Sequence, residues 1–196
     1  MKLEKIPDFL SKKLNKLIIR NYAWYGEVGY EMKIKSLSNL SLYSNLKIIE
    51  LDNLHINKIT GDFSKLTLDR LELSFIHGLE DISGIFSTNK IELLNITDCD
   101  ELQVISANKC NSYIKKFIIK GIEGHSGSNV QNIDFLLHCD KINTLSISGC
   151  SGKLRLQQTE NMGVIPNMVI ANNNFYIIKK DGKVTSSKNL DDYIKK

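Results

Sequence analysis

One short phrase recurs along most of this chain. It has an apolar residue in its first, fourth and sixth places, and six copies occur: Leu46-Ile49-Leu51, Leu68-Leu71-Leu73, Ile91-Leu94-Ile96, Ile114-Phe117-Ile119, Ile142-Leu145-Ile147 and Ile165-Met168-Ile170. Successive copies begin 22, 23, 23, 28 and 23 residues apart. Repetition at a nearly fixed period indicates a solenoid, in which each unit contacts only its neighbours.

The spacing inside the phrase predicts one short strand per repeat. A single residue separates the fourth and sixth places, which is the alternation of a strand and not of a helix. Such a strand buries one side only, so stacked parallel strands join their inner faces into one core. The residues in the third, fifth and seventh places then face outward. A weaker copy, Leu14-Leu17-Ile19, precedes the six, and Leu37-Leu40-Leu42 offers a competing strand frame.

The ninth place of the phrase lies where the chain leaves the strand. Cysteine fills it in IELLNITDC (91–99) and INTLSISGC (142–150), asparagine fills it in the last copy, and leucine or isoleucine fills it elsewhere. This pattern resembles the leucine-rich repeat, L-x-x-L-x-L-x-x-N/C-x-L. The resemblance implies that Cys99 and Cys150 are buried turn residues. The four cysteines contain no CxxC pair, so a zinc site is not expected.

The segment Leu79-Glu80-Asp81-Ile82-Ser83-Gly84-Ile85 narrows the resemblance. Its form, L-x-D-I-S-x-L, is similar to the short bacterial repeats of the internalin type, whose length matches the spacings here. The resemblance covers residues 37–175. It implies an α/β solenoid, an irregular leucine-rich repeat right-handed coil with one short parallel strand per repeat. The return side of each coil is then expected to be a short 3₁₀ or irregular segment.

A solenoid needs ends that shield its core from water. KIPDFLSKKLNKL (5–17) has spaced apolar residues and Pro7 in a first helical turn, which predicts an N-terminal capping helix. Two strand-like stretches flank Asp181-Gly182, and this hairpin signal predicts a C-terminal capping hairpin. We therefore expect a single domain (1–196), divided into an N-terminal cap (1–36), repeats (37–175) and a C-terminal cap (176–196).

Three stretches approach motifs of catalysis or nucleotide binding without completing them. The run from Gly124 to Ser128 nearly spells the nucleophile elbow G-x-S-x-G, but serine replaces its last glycine. The run from Gly149 to Lys153 lacks the first glycine of a phosphate loop and is followed by leucine. His138, Cys139 and Asp140 are adjacent on an extended segment, where neighbouring side chains point in opposite directions. We expect no enzyme activity, no catalytic residue, no metal and no cofactor.

Composition narrows the remaining classes of function. The formal net charge of +4 is mild beside the concentrated lysine and arginine of most nucleic-acid binders. Charges interrupt the N-terminal segment, which has neither the apolar core of a signal peptide nor the length of a membrane span. We expect a cytoplasmic protein that is monomeric when free and binds neither nucleic acid nor membranes.

The outward strand residues are the remaining candidate for function, because a solenoid offers an extended concave surface to a partner. The residues expected to bind another protein there are Glu50, Asp52, Arg70, Glu72, Asn95, Thr97, Lys116 and Lys120. The favoured function is a non-enzymatic protein-interaction module, specifically a bacterial immunity (antitoxin) protein that blocks a toxin. The alternative is an adhesion- or effector-type leucine-rich repeat protein that acts on a host target. A plain solvated strand face is the alternative interpretation of the surface itself.

Overall fold

The structure is a computed structural model. It describes residues 2–3, 13–22, 32–34, 36–105, 110, 112–121, 130, 135, 142–149, 154–157, 167–171, 175–178 and 184–187. For residues 2–3, and for those from 154 onward, only the backbone is described.

Short strands make up most of the described chain. They are β1 (Lys2–Leu3), β2 (Lys16–Arg20), β3 (Lys33–Ile34), β4 (Ile48–His55), β5 (Thr67–His77), β6 (Lys90–Thr97), β7 (Tyr113–Lys120), β8 (Ile142–Ser148), β9 (Leu154–Gln157), β10 (Asn167–Ala171), β11 (Phe175–Ile178) and β12 (Val184–Ser187). Two 3₁₀ helices, Ser38–Leu42 and Ser83–Ser87, lie between strands. Both fall on return segments, as expected for short 3₁₀ connections.

Nine of these strands form one sheet in which every pair is parallel, in the order β1-β3-β4-β5-β6-β7-β8-β10 with β2 paired to β4. The register joins equal places of successive repeats. The fourth places run Ile49, Leu71, Leu94, Phe117, Leu145 and Met168 from strand to strand. The predicted frame of one parallel strand per repeat is therefore confirmed for all six copies, although Ile165 lies outside the described residues.

The core lies on one side of this sheet. From β4 to β8, the residues in the first, fourth and sixth places have exposed fractions of 5% or less. Three phenylalanines from different segments pack in this core with tilted rings whose centroids are 5.7 to 6.3 Å apart: Phe86, Phe117 and Phe135. A cavity of about 10 Å³, lined by leucine, isoleucine and phenylalanine side chains and by Thr88, lies beneath β4 and β5. From β4 to β8, the inner face is thus one apolar layer that these repeats share.

The eighth place of the phrase turns the chain inward at the end of the strand. Its backbone φ is positive at Asn53 (52°), Phe75 (52°), Asp98 (48°) and Gly149 (63°). The residue in the next place is buried in the first three of these repeats: Leu54, Ile76 and Cys99. Asparagine, aspartate and glycine tolerate this left-handed conformation, whereas a bulky residue such as Phe75 is strained in it. A side chain at Gly149 would also meet the carbonyl oxygen of Gly121.

The N-terminal prediction is partly wrong. Lys16 and Leu17, which we expected in a capping helix, lie in β2, and Leu17 pairs with Ile49 of β4. No helical cap occurs among the described residues, and residues 4–12 lie outside them. Leu14-Leu17-Ile19 behaves as a seventh copy of the strand phrase, because the edge of β4 offers its backbone hydrogen-bond partners. The boundary of the N-terminal cap (1–36) stays a prediction.

The edge of β4 is divided between two strands. Its first half, from Ile48 to Asp52, pairs with β2, and its last residue, His55, pairs with Lys33 of β3. The competing strand frame at Leu37-Leu40-Leu42 is wrong, because Ser38–Leu42 is a 3₁₀ helix. That segment therefore belongs to a return segment and not to the sheet.

The C-terminal hairpin is confirmed as a hairpin. Strands β11 and β12 pair antiparallel, with Ile178 opposite Val184, and β9 joins them in a separate three-stranded sheet. Asp181 and Gly182 lie outside the described residues. The capping role of this hairpin and the domain boundary at residue 176 stay predictions.

Candidate functional site

The side of the main sheet opposite the core is called the open face, and it consists of the third, fifth and seventh places of the repeats. Strand pairing aligns these places in three rows. The third-place row is Lys16, Ile48, Arg70, Leu93, Lys116 and Thr144. The fifth-place row is Ile18, Glu50, Glu72, Asn95, Ile118 and Ser146. The seventh-place row is Arg20, Asp52, Ser74, Thr97, Lys120 and Ser148. All eight residues expected to bind a partner therefore lie on one continuous face.

Glu50 is at the centre of a cluster of charges at one end of the open face. Its side chain is 8% exposed, and its Oε2 accepts a 2.7 Å hydrogen bond from Nη2 of Arg20. Its Oε1 lies 3.6 Å from Nη1 of Arg70 and 3.8 Å from Nζ of Lys16. The carboxylate thus joins β2, β4 and β5. We expected an exposed binding residue here, and that expectation of exposure is wrong, because strand β2 brings two cations over Glu50.

The other predicted residues of this end are less buried. Glu72 forms a long ion pair with Arg70 at the edge of the cluster, with Oε1 3.9 Å from Nε. Asp52 is half-buried and pairs in register with Arg20. Burial raises the pKa of the Asp52 carboxyl above its ordinary value, and the Arg20 charge opposes that rise. These acids are therefore partly neutralised by cations of the same face.

Polar side chains in the middle of the open face bond to each other. The Thr97 hydroxyl donates to Oδ1 of Asn95 at 3.3 Å, and Thr97 is buried. Leu93 on the same strand is half-buried. Asn95 therefore has one hydrogen-bonding group already engaged, and Thr97 offers little surface to a partner.

Strand β7 carries the two predicted lysines. Lys116 and Lys120 are both exposed, and Ile118 between them is half-buried. Neither lysine has a carboxylate within 4.0 Å among the residues that the structure describes. They are the predicted site residues with the most freedom to bind something else.

Sequence reasoning missed a group at the rim of the open face. Glu92 accepts from Lys90 and, at 3.1 Å, from Nζ of Lys115. These hydrogen bonds, first of all the one from Lys90, lower the pKa of the Glu92 carboxyl. The ammonium of Lys90 also lies 5.8 Å from the centre of the exposed Tyr113 ring, within the range of a cation–π contact. The signal that could have found this group is the charged residue in the second place of consecutive repeats.

The cysteine prediction is confirmed where the structure describes it. Cys99 is fully buried, with Sγ 3.6 Å from the carbonyl oxygen of Thr97, and Cys110 is buried beside Ser112. Both are free thiols. Burial raises the pKa of the Cys99 thiol to about 12, so it is protonated and unreactive near neutral pH. Cys139 and Cys150 lie outside the described residues.

Two histidines are a further candidate for catalysis or metal binding. His55 and His77 stand side by side on β4 and β5, and Nε2 of His77 lies 3.4 Å from Oδ1 of Asn53. No group of three or more histidine, cysteine, aspartate or glutamate side chains within the described ranges could hold a metal ion. The near-motifs from Gly124 to Ser128 and at His138-Cys139-Asp140 lie outside the described residues.

No helix in the described part of the chain is long and apolar enough to cross a membrane. The sequence matches no protein-family model, and neither the curated proteins nor the solved structures give a match. The geometry of the open face is therefore the basis for any functional conclusion.

Proposed function

We propose that this chain is a leucine-rich repeat solenoid of the short bacterial type, and that it is a non-enzymatic module that binds a partner protein. In this proposal the parallel strands belong to a right-handed coil, and the open face is its concave surface. The observation that carries the proposal is the alignment of outward side chains in three rows across consecutive strands. Such extended surfaces are what solenoids use for binding.

The hydrogen-bonded sheet favours binding because it fixes these rows before a partner arrives. A preorganised surface loses less conformational entropy on association than a flexible one. Ile48, Leu93 and Ile118 are half-buried among the polar residues, which gives the face apolar contact points. This mixture of apolar and polar groups is typical of protein interfaces.

The open face is too small to form a standard protein interface alone. With strands about 4.8 Å apart and residues about 3.3 Å apart, the rows from β2 to β8 span about 24 by 13 Å. A standard interface buries about 800 Å² on each partner, which is more than this plan area of about 300 Å². We therefore propose that the rim carrying Glu92 and Tyr113 contributes to the interface.

The test places arginine at two open-face serines. Ser74→Arg with Ser146→Arg adds bulk and charge at half-buried positions of β5 and β8, and the matched control is Ser44→Arg with Ser64→Arg on exposed return segments. The wild-type chain is used to capture its partner from the source cells, the partner is identified, and affinities are measured for all three proteins. We expect the open-face pair to weaken binding at least tenfold and the control pair to leave it unchanged. Loss of binding in the control pair alone would overturn the proposal.

We further propose that the partner is a toxin and that this chain is its immunity protein. The sequence is rich in isoleucine, lysine and asparagine, which fits a low-GC bacterial source. The test is co-expression with any toxin encoded beside the gene. Protection by the wild-type chain, and its loss in the Ser74→Arg/Ser146→Arg variant, is the expected result. Growth arrest despite the wild-type chain would exclude this role and leave the general binding function open to the first test.

A further inference from the structure

The charges of the open face are unevenly compensated. At one end, three cations surround Glu50, and Arg70 also reaches Glu72. At the rim, Glu92 is held between two lysines. The acids at that end and at the rim are therefore engaged by cations of the same chain. Lys116 and Lys120 of strand β7 differ from these cations, because neither has a carboxylate within salt-bridge distance in the described part of the chain.

The two lysines have a defined spacing. They lie in the third and seventh places of β7, so they point to the same side of the sheet with Ile118 between them. Four residues of strand correspond to about 13 Å. A second extended chain laid along β7 would meet this pattern with acidic residues four positions apart and an apolar residue midway. An extended peptide matches this backbone spacing, so it can contact both lysines without either side chain bending toward the other.

Strands β6 and β8, on either side of β7, also carry side chains that can contact an extended acidic peptide. Leu93 and Asn95 on β6 stand beside Lys116 and Ile118, which adds apolar surface on one side. On β8, Thr144 and Ser146 stand beside the same two residues and carry hydroxyl groups that can donate to a carboxylate. Hydrogen bonds to an ionised acceptor are stronger than those between neutral groups.

We infer that Lys116, Ile118 and Lys120 form a docking site for an extended acidic segment of the partner protein, in which two carboxylates four residues apart flank an apolar side chain. The inference rests on the proposed protein-binding function and names the chemistry of the partner. The two positive charges favour an acidic segment. The apolar side chain of Ile118 between them favours a peptide with an apolar residue over a polyanion that has no apolar groups.

The direct test uses two synthetic peptides and no natural partner. The acidic probe has the sequence TETVTET, and its matched control is TQTVTQT. Both are titrated into the labelled full chain while backbone amide shifts are followed by NMR. We expect TETVTET to shift amides of β6, β7 and β8 and to bind at least tenfold more tightly than TQTVTQT. Raising the salt to 1 M, where the Debye length falls to about 3 Å, should remove most of that difference.

Two charge-reversal variants complete the test. Lys116→Glu with Lys120→Glu should abolish the preference for the acidic peptide, and Lys58→Glu with Lys65→Glu makes the same change of charge at exposed positions off the open face. The control variant should keep the preference. Equal binding of the two peptides by the wild-type chain, or an unchanged preference in the Lys116→Glu/Lys120→Glu variant, overturns the inference. So does the absence of any shift at millimolar peptide.

The affinity of each variant for the captured partner distinguishes a failure of this inference from a failure of the proposed function. Binding that is lost in Ser74→Arg/Ser146→Arg but kept in Lys116→Glu/Lys120→Glu overturns the acidic docking site and supports the open face. Binding that is unaffected by both open-face variants overturns the proposed function, whatever the peptides do. Loss in both variants, with retention in Lys58→Glu/Lys65→Glu, supports both.

Discussion

The buried carboxylate of Glu50 should hold strand β2 against the sheet, and Glu50→Gln tests this. The substitution keeps the size of the side chain and removes its charge, while the cations around it remain. Hydrogen bonds to charged groups contribute about 1.5–3 kcal/mol, and the surrounding cations are partly solvated, so we expect a loss near the lower end, about 2 kcal/mol. Glu72→Gln is the matched control in the same row of the next strand. Its side chain is 29% exposed and its contact is 3.9 Å long, so its cost should stay within about 0.5 kcal/mol.

Denaturant unfolding of the three proteins measures these free energies. Hydrogen exchange adds a local readout, because amides of β2 should lose protection in Glu50→Gln before those of β6 do. Equal costs for the two substitutions, or exchange of β2 unchanged by Glu50→Gln, would refute the argument that this ion cluster fastens the first strand.

Four further predictions concern the core and the strand ends. Leu94→Ala should lower the free energy of unfolding by about 2–5 kcal/mol, whereas Asn95→Ala removes only the acceptor of the Thr97 hydrogen bond and should lower it by about 1 kcal/mol; equal costs in denaturant titrations would contradict the observed strand register. Phe75→Asn should be more stable than Phe75→Val by about 1 kcal/mol in thermal unfolding, because asparagine tolerates a positive φ; the opposite order would show that the left-handed turn is not present in solution. Thr88→Val should raise stability by about 1 kcal/mol, since the buried Thr88 hydroxyl has no hydrogen-bond partner in the described structure, and a loss of that size would mean that the hydroxyl is satisfied. Burial raises the pKa of the Cys99 thiol, so the folded state favours its neutral form: the contribution of Cys99 to stability should be constant below about pH 9 and should fall as the pH rises towards 12. Cys99→Ala should remove this part of the pH dependence, and rapid labelling of Cys99 in the native protein at pH 8 would contradict its burial.

The repeat frame could be predicted from the sequence because burial of one strand side requires apolar residues at fixed places. The same spacing predicted the register observed from Ile48 to Ile170, and the pairing of Met168 with Leu145 extends it to the last copy. The outward direction of Lys116 and Lys120 follows from strand alternation alone. These features depend on local pattern, which a single sequence carries.

The burial of Glu50 could not be predicted in the same way. It depends on Arg20, which is 30 residues away and lies just beyond a segment (5–17) whose apolar spacing also suits a helix. The weaker phrase at Leu14-Leu17-Ile19 contained the correct register, because it sets Arg20 beside Asp52. The choice between helix and strand there was decided by the free edge of β4, which is a tertiary effect that local propensity does not report.

The divided edge of β4 has a consequence for self-association. A long, uniform edge strand is a template for pairing with another chain, and proteins suppress it by shortening or interrupting the edge. Here the eight-residue strand β4 pairs with five residues of β2 and with one residue of β3, Lys33. A strand from a second molecule cannot reach the full length of β4 and meets short segments whose ends are interrupted. This edge of the sheet is therefore protected from pairing with further molecules into a fibre, although each repeat inside the sheet pairs with a similar repeat on either side.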